Sequence, residues 1–132
     1  MLALAAGASG CFGGGSSPAV PEGFPAAVVP QHGTLLGCSR RAECWFLVSG
    51  DSHRTYLRLA RSARGAGWGR FRHSRGLGVD VLVAWKGGRE IKITVSPSGA
   101  RVNGGDPPKL PQTVPEGSGL VDIAWGPAED GL

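Results

Sequence analysis

The run Val79-Asp80-Val81-Leu82-Val83-Ala84-Trp85-Lys86-Gly87-Gly88-Arg89-Glu90-Ile91-Lys92-Ile93-Thr94-Val95 decides the fold class. It contains two β-branched segments separated by Lys86-Gly87-Gly88-Arg89, and paired glycines take the positive φ values that a tight primed turn requires. The two segments are therefore expected to fold back on each other as a hairpin. In the second, Ile91, Ile93 and Val95 share one face while Glu90, Lys92 and Thr94 share the other, because side chains alternate along a strand. One face is expected to enter a core and the other to meet water.

Downstream, Ser96-Pro97-Ser98-Gly99 supplies a turn and Ala100-Arg101-Val102 a short return strand ending at Asn103-Gly104, a favoured tight-turn dipeptide. Asp106 to Pro115 is a Pro-rich connection, after which Leu120-Val121-Asp122-Ile123-Ala124-Trp125 alternates again. Upstream, Trp45-Phe46-Leu47-Val48 reads as a buried strand running into the turn Ser49-Gly50-Asp51. Thr55 to Leu59 reads as strand or as a single helical turn, with strand favoured. Ala60 to Gly78, rich in Arg and Gly with only Trp68 and Phe71 as aromatics, reads as a basic loop with too little apolar surface to offset its ordering entropy. No helix of ordinary length is expected. The fold class expected is mainly β, a small antiparallel meander or partial β-sandwich.

Composition suits one modest domain in 132 residues, and Gly and Pro together make up a quarter of the chain. Residues 1–37 read as a disordered leader or linker rich in Gly, Ser, Pro and Ala, 38–125 as the β-rich domain, and 126–132 as a flexible tail. Order is expected to begin near Cys44. Met1 to Ala6 is apolar but short and without basic residues, a weak signal segment. Ala8-Ser9-Gly10-Cys11 has the form of a lipid-attachment box behind too short an apolar run. No stretch reaches the roughly 20 apolar residues needed to span a bilayer.

The formal net charge is +4, and from Arg40 to Lys92 twelve basic residues face four acidic ones. Arginine dominates, and its planar fork pairs with phosphate, sulfate or carboxylate and stacks on aromatic rings. Arg61, Arg64, Arg70, Arg72 and Arg75 are the candidate polyanion-binding residues, for nucleic acid or a sulfated glycan. The alternative is a well-solvated basic face.

Chemistry is sparse. His32, His53 and His73 are the available bases, and Asp51-Ser52-His53 places acid, hydroxyl and imidazole in one stretch. On an extended segment Ser52 and His53 would point to opposite faces, so no catalytic residue is assigned. Gly65-Ala66-Gly67-Trp68-Gly69-Arg70 lacks the ending and context of a phosphate loop. Cys11, Cys38 and Cys44 fit no zinc spacing. No metal or cofactor is expected.

Two segments in order resemble the von Willebrand factor type D domain. In Cys44-Trp45-Phe46-Leu47-Val48-Ser49-Gly50-Asp51-Ser52-His53-Arg54-Thr55-Tyr56, the residues Cys44, Gly50, Asp51, His53, Thr55 and Tyr56 match the family's Gly-Asp-Pro-His segment and its surroundings. Val79 to Pro111, with Val102-Asn103-Gly104 and Leu110-Pro111, resembles its paired strands and Val-Asn-Gly turn. Ser52 stands where the family has proline, Leu57-Arg58 stands where it has Asp-Gly, and the span between the segments is short. The calcium binding of some relatives would rest on Asp51, far short of six to eight oxygen ligands.

The resemblance covers about half the chain. It implies an extracellular or secreted, non-catalytic module of adhesion or assembly, whose partners are other extracellular proteins. Cys38 and Cys44 would pair with each other or with another chain, and spacing does not choose between these. The remaining alternative is a shortened, incomplete or degenerate form that keeps a few strands of that fold and has no independent function.

Overall fold

The computed structural model describes residues 20–39, 42–102 and 108–128. Its elements are β1 (Thr34–Ser39), β2 (Glu43–Ser49), α1 (Ser52–Gly65), β3 (Gly69–Gly76), β4 (Val79–Lys86), β5 (Arg89–Ser96) and β6 (Ser118–Pro127), preceded by a 3₁₀ turn at Ala26–Val28. The described strands form one open six-stranded sheet in the order β1-β2-β6-β5-β4-β3. Every pairing is antiparallel. The protein is mainly β, as the alternating runs imply.

The deciding hairpin forms as expected. Lys86 pairs with Arg89 across Gly87 and Gly88, whose φ values are 55° and 78°, a two-residue primed turn that matches the strand twist. Ile91, Ile93 and Val95 are fully buried beside Leu82, Val121, Ile123 and Phe46. Each such side chain contributes about 1.5–3 kcal/mol of burial energy. The strands read at Trp45–Val48 and Leu120–Trp125 are also present.

Strands β3 to β6 form an antiparallel meander, in which β4, β5 and β6 are the expected strands. The β1–β2 hairpin then joins β6 at the far side, so the sheet is open rather than a sandwich. Its helix-facing side is covered by α1 and by the segment from Val20, where Phe24 packs edge-on against Phe46 and Trp125 with ring centroids 5.8 and 4.9 Å away. Val28 is fully buried in the same cluster. The edge of the fold therefore does not coincide with the boundary expected at residue 38, nor does order begin at Cys44. Part of the stretch read as leader is wall of the core, because single apolar residues between prolines suffice to fill a gap beside a helix.

Three further expectations are corrected. Residues 52–65 are a helix, not strand and loop. Asp51 caps it, its carboxylate accepting from the Arg54 N–H at 3.0 Å. Ser52, Thr55, Tyr56, Leu59 and Ala63 form the buried stripe. At the other end Trp68 N–H donates to Ala63 O and Gly67 N–H to Arg64 O, with Gly67 at φ 96°, which is a Schellman closure.

The rest of the supposed basic loop is the edge strand β3. It pairs with β4 from Gly76↔Val79 to Gly69↔Trp85, with an irregularity between Gly69 and Arg72. Its exposed arginines suit an edge, since charge discourages pairing with another chain. The return strand expected at Ala100–Val102 shrinks to a bridge, Arg101↔Thr113. Ala100, Val102, Leu110 and Val114, from the connection between β5 and β6, lie on the sheet's second face, where Trp45, Val114 and Leu120 make a smaller cluster. Among the described residues no helix is long and apolar enough to cross a membrane.

Candidate functional site

Period-two alternation puts Asp80 on the same side of β4 as the buried Leu82 and Ala84, so a carboxylate enters the core face one strand in from the sheet edge. It has no exposed surface. Burial of a charge is tolerated only with partners, and Asp80 has three. Nδ1 of His53, in the first turn of α1, lies 3.0 Å from Oδ2, and Nε2 of His73, on β3, lies 3.0 Å from Oδ1. Nε of Arg75 is 3.5 Å from Oδ1.

Burial pushes the Asp80 carboxyl up. The two histidine hydrogen bonds and the charges of His53 and Arg75 outweigh it and hold the group below the usual carboxylate range. An ionised carboxylate only accepts, so both imidazoles donate to it and their tautomers are set. Tyr56 stacks on His73 at 4.6 Å and more loosely on His53 at 6.0 Å. Burial raises the Tyr56 phenol, and the Asp80 charge adds to this. The cluster ties helix, β4 and β3 together and presents Nε2 of His53 and Nδ1 of His73 away from Asp80. Among the described residues no hydroxyl or thiol hydrogen-bonds either ring, and no group of three His, Cys, Asp or Glu is arranged to hold a metal.

The second face of the sheet carries a different arrangement. Trp85 alternates outward from Ala84, and its indole N–H donates to Glu90 at 3.0 Å across the hairpin. The guanidinium groups of Arg70 and Arg72 lie 5.7 and 5.6 Å from the Trp85 ring centre. Cation–π contact holds both arginines over one half-buried ring without neutralising them. Val79, Val81 and Val83, also half-buried, continue the same face of β4.

Nearer the centre of that face, Asp122 is raised to about 8, by burial first and then by its hydrogen bond with and the charge of Glu43, with Lys92 opposing. Its Oδ1 has no hydrogen-bond partner.

The five arginines expected to act together are thus distributed. Arg70 and Arg72 share Trp85, Arg64 lies 4.5 Å over Phe71, Arg75 turns to Asp80, and Arg61 lines a cleft beside α1. Of the type D motif residues, Cys44 is buried in β2, Gly50 has φ 106°, Asp51 caps the helix and His53 meets Asp80. Val102 is half-buried against the Trp45 cluster, and its N–H donates to Gln112 O at 2.9 Å. Asn103 and Gly104 lie outside the described residues.

Cys38 and Cys44 form a disulfide across β1 and β2, where they are register partners. Sequence reasoning missed Asp80, Tyr56, Trp85 and the Asp122–Glu43 pair as a site. The available signal was an aspartate at a core-facing position of the best-defined strand. Comparison with known proteins finds no matching family model, no matching curated protein and no matching solved structure.

Proposed function

We propose that the protein is a non-catalytic binding module of an oxidising, extracellular compartment that takes an anionic glycan on the face of the sheet opposite α1. The observation that carries this is the pair Arg70 and Arg72 over the Trp85 ring. An aromatic face flanked by two guanidinium groups offers stacking to a sugar ring and charge-assisted hydrogen bonds to its sulfate or carboxylate groups. The Cys38–Cys44 disulfide supports the compartment, because such bonds persist where thiols are not kept reduced. That compartment favours a glycan over nucleic acid.

Heparin is the test polymer. The protein is expected to be retained on a heparin column and released by salt, and Arg70→Gln with Arg72→Gln to lower both the retention and the slope of affinity against salt, as loss of phosphate contacts does with nucleic acid. Retention unchanged in that variant would reject the reading. Stronger competition by single-stranded DNA than by free heparin would assign the face to nucleic acid instead.

The same disulfide favours a second reading, the extracellular interaction module that the type D resemblance implies. With Cys38 paired to Cys44, covalent linkage to another chain would fall to Cys11, which lies outside the described residues. Thiol counting on denatured, unreduced protein is expected to find at most one free thiol per chain. Three would count against assembly through disulfides.

A further inference from the structure

Beside the helix, on the sheet side opposite Trp85, a cleft of about 670 Å³ opens between the segment from Ala26 to His32 and α1. Its size falls within the range of about 300–1,000 Å³ usual for small-molecule sites. Val29, Val48 and Leu59 line its apolar part, and Arg58 and Arg61, three residues apart on α1, line its rim with His32. Among the described residues no acidic side chain lines it. Neither arginine makes a hydrogen bond, ion pair or ring contact with any described residue.

The wall opposite the helix is built at a conformational cost. Gly33 N–H donates to Pro30 O at 3.2 Å, closing a turn in which His32 takes φ 63°, a left-handed value that costs any residue but glycine some strain and that Asn, Asp and His adopt most readily. Gly33 sits so close to Val48 that a Cβ there would lie 3.3 Å from a Val48 methyl. The turn is thus seated on β2, and the strained residue is one that lines the cleft. Strain retained at a pocket wall is an observation from which a binding role can be argued.

We infer that this cleft binds a small single-chain amphiphilic anion, with its alkyl part over Val29, Val48 and Leu59 and its carboxylate, phosphate or sulfate head on Arg58 and Arg61. The complementarity is twofold. Two guanidinium groups one helical turn apart bracket one anionic head, and the strip of Val29, Val48 and Leu59 beside them, set among Gln31, Thr55 and Ser62, offers an alkyl chain apolar contact that a compact ion would not use. The site is separate from the glycan face and does not depend on it.

Decanoate, kept below its micelle concentration, is the probe, with acetate as the headgroup alone and decanol as the chain alone. Titration of the full-length, uniformly ¹⁵N-labelled protein is expected to give saturable shifts at the amides of Val29, Val48 and Leu59 with decanoate, and none with acetate or decanol. Arg58→Gln with Arg61→Gln, both exposed positions, should weaken decanoate by about tenfold or more, the equivalent of a lost charge-assisted hydrogen bond. Ala27→Trp, which fills the cleft from the opposite wall, should abolish the shifts. Arg70→Gln with Arg72→Gln should leave them unchanged. Absence of saturable shifts at these amides, equal binding of decanol, or undiminished affinity in the Arg58/Arg61 variant would overturn the inference, as would loss of binding in the Arg70/Arg72 variant.

Discussion

Asp80 Oδ2 lies 3.0 Å from Nδ1 of His53, a contact that spans 27 residues and fastens the first turn of α1 to the core-facing side of β4. The contact supplies one of the donors that a carboxylate with no exposed surface needs, beside His73 and Arg75, and gives the helix start an anchor on the sheet in addition to its Asp51 cap.

The Asp80 carboxyl is held below its ordinary range by these partners, so its folded pKa is lower than its unfolded one. The stability it contributes is full above the unfolded carboxylate pKa and is lost as pH falls through the folded value. Asp80→Asn should therefore cost about 1–3 kcal/mol at neutral pH and flatten the acid limb of the stability curve. Urea unfolding between pH 7 and pH 3 measures both. A variant as stable as the parent at pH 7 would show that the contact is not stabilising.

Asp122 has the opposite sign. Raised to about 8 by burial and Glu43, it favours folding fully below its unfolded pKa and progressively less as pH rises through the folded one. Thermal stability is expected to decline between about pH 4 and pH 8 on this account. Asp122→Asn, which cannot ionise, should remove that decline and melt higher than the parent at pH 8.5. Parallel melting curves for the two proteins across this range would contradict it.

The Cys38–Cys44 bridge closes a short loop, with a sequence separation of 6. The entropic model gives about 2 kcal/mol for so small a ring. Paired Cys38→Ser and Cys44→Ala substitution should thus lower stability by at least this amount, because Cys44 is also fully buried in the core. Reduction of the intact protein should give a smaller fall, as it removes the crosslink and keeps the packing. Differential scanning calorimetry with and without reductant separates the two contributions.

Leu77 occupies the tip of the β3–β4 hairpin at φ 54°, and its side chain is completely exposed. A branched apolar residue there pays left-handed strain and gains no burial. Leu77→Asn or Leu77→Gly should raise stability by about 1 kcal/mol. For a domain of this size the melting temperature would rise by about 4–8 °C. A fall on either substitution would mean that Leu77 makes a stabilising contact in solution.

How far the fold was legible depended on how local its causes are. Gly87-Gly88 between β-branched runs sets a primed turn, and Ile91, Ile93 and Val95 set which face is buried. The helix escaped notice because its buried stripe is mostly small or polar: Ser52, Thr55 and Ala63 lend little to an apolar period, leaving Tyr56 and Leu59 to carry it. Arg54, Arg58, Arg61 and Arg64 do recur at helical spacing opposite that stripe, and Asp51 followed by a helical run is a capping signal. Taken together they mark the helix better than the hydrophobic residues do.

Strand β3 had no such local cause. Between Gly69 and Gly76 only Phe71 is apolar, and the segment is extended because β4 offers it a row of unpaired backbone groups. The position of His73 and Arg75 beside Asp80 follows from that pairing.

What the amino-acid order determined unaided was the hairpin from Val79 to Ser96, the strands at Trp45 and Leu120, and the concentration of arginine between them. These depend on side-chain alternation and turn chemistry within a few residues. Tertiary structure alone decided that Asp80 meets two histidines from different elements, that Arg70 and Arg72 share one indole ring, and that Val29 faces Leu59 across a cleft. The first two depend on the pairing of β3 with β4 and on the docking of α1, the third on the packing of α1 against the segment before β1, and the placing of β6 between β2 and β5 joins the two halves of the sheet into one frame.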